Sequence, residues 1–246
     1  MQYEEFGWYS HRLNRWMNVK IYGHYGEAVI AFPCQDKDSS DFSNYGMIDA
    51  LSGLIESGRM KLFCVDSNDS DTISSSSWDK GNRAWLLDQY HHYIVEELLP
   101  FIYLKQGNFT RPLLVGASMG GTHAGINFFR RPDLFRGFIS LSGSFDIRNF
   151  FDGYVDNNVY NNCPNLFLEN LDINHPYINL YNERTMVVVV GDGAYEYLVK
   201  YTNERLAQIA YQKGINIWFN FWDQNSIHDW PSWLYQMPYF LNQILD

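Results

Sequence analysis

Short apolar runs rich in β-branched residues alternate along the chain with longer segments whose apolar positions recur at helical spacing. This is the pattern of a mainly parallel sheet with crossover helices, because strands covered on both faces read as continuous hydrophobic runs. It predicts strands over residues 18–22, 28–32, 61–65, 113–115, 137–141, 186–190 and 215–221. Helices are expected over 48–56, closed by Ser57-Gly58, and over 83–99, stopped by Pro100. Further helices are expected over 121–130, over 198–213 with Gly214 at the C-cap position, and over 233–245. The expected fold class is α/β, with helices on both faces of a mainly parallel central sheet.

Two stretches break the alternation. Residues 66–80 (DSNDSDTISSSSWDK) are polar and serine-rich and read as an exposed loop between a strand and a helix. Residues 145–184 are aromatic and asparagine-rich, and an insertion of that length in a compact domain reads as a cap over a site. The whole chain, 1–246, is otherwise expected to form one domain.

Composition supports a packed core, with 46% hydrophobic and 17% aromatic residues against 19% charged. The net charge of −10, with basic residues scattered, argues against a nucleic-acid partner. No apolar run is long enough for a membrane span, and residues 1–25 carry no uninterrupted apolar region of the signal-peptide kind. Cys34, Cys64 and Cys163 are odd in number and lack CxxC spacing, so reduced thiols are expected, and neither a disulfide framework nor a zinc site. A cytoplasmic protein is the resulting expectation, with the mature form of an exported protein as the open alternative and exposed aromatics compatible with a homo-oligomer.

The run Pro112–Gly121 (PLLVGASMGG) places a strand directly before a G-x-S-x-G segment and a helical segment directly after it. That context is what a nucleophile elbow needs: a sharp strand-to-helix turn presents the serine, and small flanking residues keep neighbouring backbone from clashing. Ser118 is therefore the candidate nucleophile of an α/β-hydrolase, and the backbone N–H of Met119, at the helix start, a candidate oxyanion donor. The other reading is a glycine-rich turn in which the serine serves only as a helix cap.

Serine needs a histidine base, itself oriented by a carboxylate, and in this fold the chain order is Ser, acid, His. His228 follows the last expected strand, where the base belongs, and is the candidate; His175 and the earlier histidines read as surface or packing residues. His123, one turn beyond Ser118, is placed to support the site. Asp192 and Glu196 both follow the strand at 186–190, and spacing does not choose between them as the acid. The second oxyanion donor should come from the loop after residues 28–32, where the Gln35 backbone N–H is the candidate. Thiol catalysis by Cys34 lacks a matching histidine arrangement.

With these residues placed, the chain resembles the esterase D-like, or putative esterase, family of α/β-hydrolases over nearly its whole length. The resemblance is carried by YGHYG at 22–26, AFP at 31–33, YGMIDAL at 45–51, KLFCVDS at 61–67 and GASMGG at 116–121. It continues through RRPDLFRGFISLSGSFD at 130–146, VVGDGAYE at 189–196 and HDWPSW at 228–233. It implies carboxylesterase activity on small or carbohydrate-linked acyl groups, a small-molecule ester as partner, no cofactor, and Ser118, Glu196 and His228 as nucleophile, acid and base. The glycine-alanine-aromatic-glutamate run is what assigns the acid to Glu196 over Asp192. The Pro33-Cys34-Gln35 loop departs from the HG or DG pattern of relatives. Acyl transfer by the same residues, or glycan binding by an aromatic cap without catalysis, are the alternatives. Trp78, Phe150, Tyr154 and Trp230 are the candidate pocket aromatics.

Overall fold

The computed structural model describes residues 1–245. Its centre is an eight-stranded sheet: β1 (Tyr3–Ser10), β2 (Arg15–Tyr22), β3 (Glu27–Phe32), β4 (Met60–Val65), β5 (Leu113–Ala117), β6 (Gly137–Leu141), β7 (Thr185–Val190) and β8 (Trp218–Phe221). They lie in the order β1-β2-β4-β3-β5-β6-β7-β8, with antiparallel pairing at β1–β2 and β2–β4 and parallel pairing elsewhere. The helices are α1 (Asp41–Asn44), α2 (Met47–Ala50), α3 (Ser52–Glu56), α4 (Lys80–Tyr93), α5 (Leu99–Gln106), α6 (Met119–Arg130), α7 (Asn157–Asn161), α8 (Pro164–Asn170), α9 (Pro176–Asn182), α10 (Tyr197–Lys213) and α11 (Trp230–Ile244).

Strand side chains alternate between two cores, as the two-residue period of a pleated strand dictates. From β3, Ala28, Ile30 and Phe32 join Tyr90 of α4, Phe128 and Phe129 of α6, and Leu206 of α10. Val29 and Ala31 face the other way, with Phe42 of α1, Ile55 of α3 and Phe240 of α11. The doubly covered α/β sheet expected from the hydrophobic runs is the observed architecture.

Several boundaries differ from the sequence reading, each for a local reason. β1 was not expected: its inward positions include Phe6 and Trp8, but Glu4, Glu5 and Gly7 interrupt the apolar pattern. It is an edge strand held by one partner, where such residues are tolerated. β8 begins at Trp218 and not at 215, because Ile215 closes the end of α10, donating its N–H to Ala210 O at 2.9 Å beyond the left-handed Gly214. Pro100 does not stop its helix. A π-turn over Ile94–Leu98 precedes it and widens the backbone where a proline would otherwise collide with the preceding turn. The helix then runs on to Gln106, and Gly107 at φ 69° ends it. The helix expected over 48–56 is two short ones, interrupted at Leu51.

The segment 66–80 is not an exposed loop throughout. Ser67, Asn68, Asp69, Thr72 and Ile73 are buried, while Ser70, Asp71 and residues 76–79, including the 90% exposed Trp78, face solvent. Residues 145–184 fold as α7–α9 after a short 3₁₀ turn (Arg148–Phe151); Phe145 and Leu168 sit in the sheet's own core, and Asp146, Asn149 and Phe150 border the cavity at Ser118.

Candidate functional site

β5 ends at Ala117 and α6 begins at Met119, so Ser118 is the single residue of the turn between them. Its φ of 52° lies in the left-handed region that side chains avoid, and its N–H is tied to Leu141 O at 2.8 Å. A β-carbon at Gly116 would overlap the Gly120 backbone, and one at Gly120 would overlap the carbonyls of Phe32 and Pro33. The two glycines are thus what lets the turn close against β3. Asp36, Ser118, Ser142 and Tyr195 make up four of the six non-glycine residues with positive φ among those described. Each forms part of this site or adjoins a residue that does.

His228 sits in the turn between β8 and α11 and brings Nε2 within 2.8 Å of Ser118 Oγ. Its backbone N–H donates to Ala194 O at 2.9 Å, and its ring stands edge-on to Trp233 at 5.2 Å. Behind it, Glu196 is fully buried, with Oε2 3.6 Å from His228 Nδ1. That separation exceeds a hydrogen bond, yet neither atom has another hydrogen-bond partner. Glu196 Oε1 accepts from Ser142 Oγ at 2.6 Å, and Ser142 Oγ accepts from Trp233 Nε1 at 3.0 Å. A carboxylate is acceptor-only, so this chain orients the Ser142 proton toward Glu196 and leaves the second oxygen facing the imidazole. Asp192 is elsewhere: half-exposed, it pairs with Lys200 at 2.6 Å, which pushes the Lys200 pKa up.

Gln35 and Met119 both line the cavity containing Ser118 and His228, and their backbone N–H groups have no protein acceptor among the described residues. The loop carrying Gln35 is pinned at two points. Cys34 N–H donates to Asp41 Oδ2 at 2.8 Å, and Asp36 N–H reaches Asp69 Oδ2 at 3.4 Å. Asp69 Oδ1 is 2.8 Å from Nε2 of His123, and both side chains are buried. His123 thus connects α6, which starts at Met119, to the loop that carries Gln35.

The cavity is about 270 Å³ and is completed by Thr122, Ser144, Asp146, Asn149, Phe150, Leu198 and Val199. Burial works to raise the Asp146 carboxyl, but hydrogen bonds and charge from Arg148 outweigh it and hold the group below the usual carboxylate range. Of the expected pocket aromatics only Phe150 lines this space. Trp78 is at the surface, Tyr154 is outside the lining, and Trp230 is buried in a stack on Tyr45. Burial, and then the nearby Asp41 charge, push the Cys34 thiol far up, which keeps it in its non-nucleophilic form. All three cysteines are free. His175 caps α9 through Tyr177 N–H, and His91 pairs with Asn127, away from the cavity. Among the described residues no helix is long and apolar enough to cross a membrane, and no group of three or more His, Cys, Asp or Glu could hold a metal.

Ser142, Trp233, Asp69 and Asp41 were not singled out from the sequence. Ser142 and Trp233 lie in the runs RGFISLSGSFD and HDWPSW, so their signal was present, but only three-dimensional pairing assigns them a task.

The model of the family described as putative esterase matches residues 10–243. No curated protein sequence matches the chain. Among solved structures, a ferulic acid esterase superposes with a TM-score of 0.75 at 18% identity, covering 99% of this chain and 96% of its own. The S-formylglutathione hydrolase of Staphylococcus aureus gives 0.72 at 12% identity, covering 100% of this chain and 96% of its own. That of Agrobacterium tumefaciens gives 0.74 at 13%, covering 98% and 93%. At such identities the likeness is one of fold, that of the α/β serine hydrolases. The family match extends over nearly the whole sequence, and the chain belongs to the putative esterase family, as a carboxylic ester hydrolase.

Proposed function

We propose that the protein is a serine carboxylesterase that hydrolyses a small or carbohydrate-linked acyl ester through an acyl-enzyme on Ser118. The observation that carries this reading is the 2.8 Å approach of His228 Nε2 to the Oγ of a serine held at positive φ, with buried Glu196 behind the ring. His228 takes the Ser118 proton as Oγ attacks the ester carbonyl. Negative charge develops on the carbonyl oxygen, within reach of the free Met119 and Gln35 amides, which act as the oxyanion donors. The imidazolium formed in that step is the species toward which the Glu196 Oε2 gap would close. His228 then returns its proton to the departing alkoxide, leaving an acyl group on Ser118. Water, deprotonated by the same imidazole, attacks this acyl-enzyme, releases the acid and restores the serine.

A cavity of about 270 Å³ suits a small acyl group. Three unpaired thiols support a reducing, cytoplasmic setting. In the deciding experiment, Ser118→Ala should lower p-nitrophenyl acetate turnover by about 10⁴-fold or more and abolish fluorophosphonate labelling. Wild-type turnover in that variant would remove Ser118 from the reaction.

A further inference from the structure

Among the described residues a second cavity exceeds the one at Ser118 in volume. It is an open groove of about 610 Å³ between the end of β8, the segment that follows it and the start of α11. Phe221, Trp222 and Tyr235 supply its aromatic surface; Phe221 and Tyr235 are 47% and 63% exposed, and the Trp222 ring stands edge-on to Tyr235 at 5.7 Å. Planar polar side chains, Asn220, Asp223, Asn225 and Gln236, lie among these rings. Gln236 is 1% exposed and donates from Nε2 to Ser226 Oγ at 2.8 Å, while its Oε1 has no hydrogen-bond partner. The indole Nε1 of Trp222 is likewise buried without an acceptor. A buried acceptor and a buried donor without partners, both on groove-lining residues, are groups a polar ligand could satisfy.

We propose that this groove binds a neutral pyranose sugar, of one or two rings, at a site distinct from the Ser118 cavity. A pyranose offers an apolar face of C–H groups that packs on aromatic rings, and an equatorial rim of hydroxyls that both donate and accept. Aromatic rings beside amide side chains match both faces of such a ligand. The charge of the groove selects against ionic ligands. No Lys, Arg or His is among the residues lining it, and its Asp223 lies on a chain of net charge −10, so anions are disfavoured. Both Asp223 oxygens already accept from Asn225, its N–H at 2.9 Å and its Nδ2 at 3.3 Å, so the carboxylate is not held open for a cation.

The groove adjoins the hydrolytic site through one short segment. Ile227 lines the groove and the next residue, His228, lines the Ser118 cavity, while Ser226 O accepts from Gly193 N–H at 2.9 Å on the loop that leads to Glu196. A saccharide chain held here would lie next to the cavity without entering it. The site goes beyond the esterase reading and stands whether or not that reading holds.

The test is calorimetric titration of the full chain, and separately of Ser118→Ala, with xylobiose, cellobiose and maltose. At least one should bind at millimolar or tighter affinity to both proteins. Tyr235→Ala, which truncates an exposed ring, should weaken binding about tenfold with unchanged melting temperature and unchanged p-nitrophenyl acetate turnover. Trp222→Ala should weaken binding likewise, here with a lower melting temperature, because its ring also packs against the sheet's core. Absence of binding by all three sugars overturns the proposal, as does binding that survives both substitutions undiminished. Sedimentation velocity showing a dimer that Tyr235→Ala dissociates would also overturn it, because the groove would then be covered by a second copy. Loss of turnover in Ser118→Ala alongside failed sugar binding would leave the esterase intact and remove only this site.

Discussion

Two of the buried carboxylates around Ser118, Asp69 and Glu196, are satisfied differently. Asp69, under the Cys34–Lys37 loop, has both oxygens engaged, one near His123 Nε2 and one by Asp36 N–H. Glu196, behind His228, has Oε1 engaged by Ser142 and Oε2 without a hydrogen bond, 3.6 Å from His228 Nδ1. Asp69 commits both oxygens to partners that tie α6 to the Cys34–Lys37 loop, so it fixes a shape. Glu196 keeps one oxygen in reserve facing His228, so a positive imidazole there would draw it in. Burial is common to both, and the unspent acceptor distinguishes them.

The comparison is broken most directly at Glu196. Glu196→Gln keeps the volume but removes the charge facing His228, and kcat on p-nitrophenyl acetate should fall about 10³-fold or more. Asp192→Asn, four residues earlier, should stay within about twofold, since a half-exposed ion pair contributes little. If the large loss followed Asp192 instead, the acid would be misassigned. Ser142→Ala removes the hydroxyl that orients Glu196 and leaves Trp233 Nε1 without its acceptor. A loss of about 1.5–3 kcal/mol in transition-state stabilisation, read from kcat/KM, is expected.

On the other side, Asp69→Asn should show mainly as lost stability, about 1–3 kcal/mol by urea unfolding, because one of its two contacts must be given up. A fall in kcat as large as that of Glu196→Gln, at unchanged stability, would erase the distinction. The smallest effect is expected at Asp41. Burial raises its pKa although Cys34 N–H bonds to Oδ2, and Oδ1 has no partner. Its raised pKa means that the stability it contributes is present below the ordinary carboxylate range and lost as pH rises through the folded value. Asp41→Asn should therefore gain on the wild type in melting temperature as pH goes from acid to neutral, and an opposite slope would contradict the raised pKa.

The layered sheet was legible because parallel strands must be apolar on both faces; β3, β6 and β7 read directly as hydrophobic runs. The elbow was legible because a turn that tight forces glycines at 116 and 120. What stayed hidden depends on contacts distant in sequence. Asp69 looked like one more polar residue of an exposed serine-rich loop, since nothing local says that His123, 54 positions on, buries it. Asp192 and Glu196 could not be separated by spacing, because which carboxylate turns inward depends on Ser142 of the neighbouring strand end. Resemblance to the family chose Glu196; of the two carboxylates it is the buried one, with Oε2 3.6 Å from His228 Nδ1. β1 stayed hidden because an edge strand needs only one apolar face. The π-turn before Pro100 has no composition of its own to betray it.

The order of strands in the sheet carries a further consequence for how the chain is made. Apart from the exchange of β3 and β4, sheet order follows chain order, so each strand leaving a ribosome after β5 finds the free edge of the one before it. Ser118 enters its turn when β5 and β6 pair, but His228 arrives only after β8 has docked, and Trp233 later still. A nascent chain would carry a folded elbow without His228 beside Ser118 until the chain had reached its last helix.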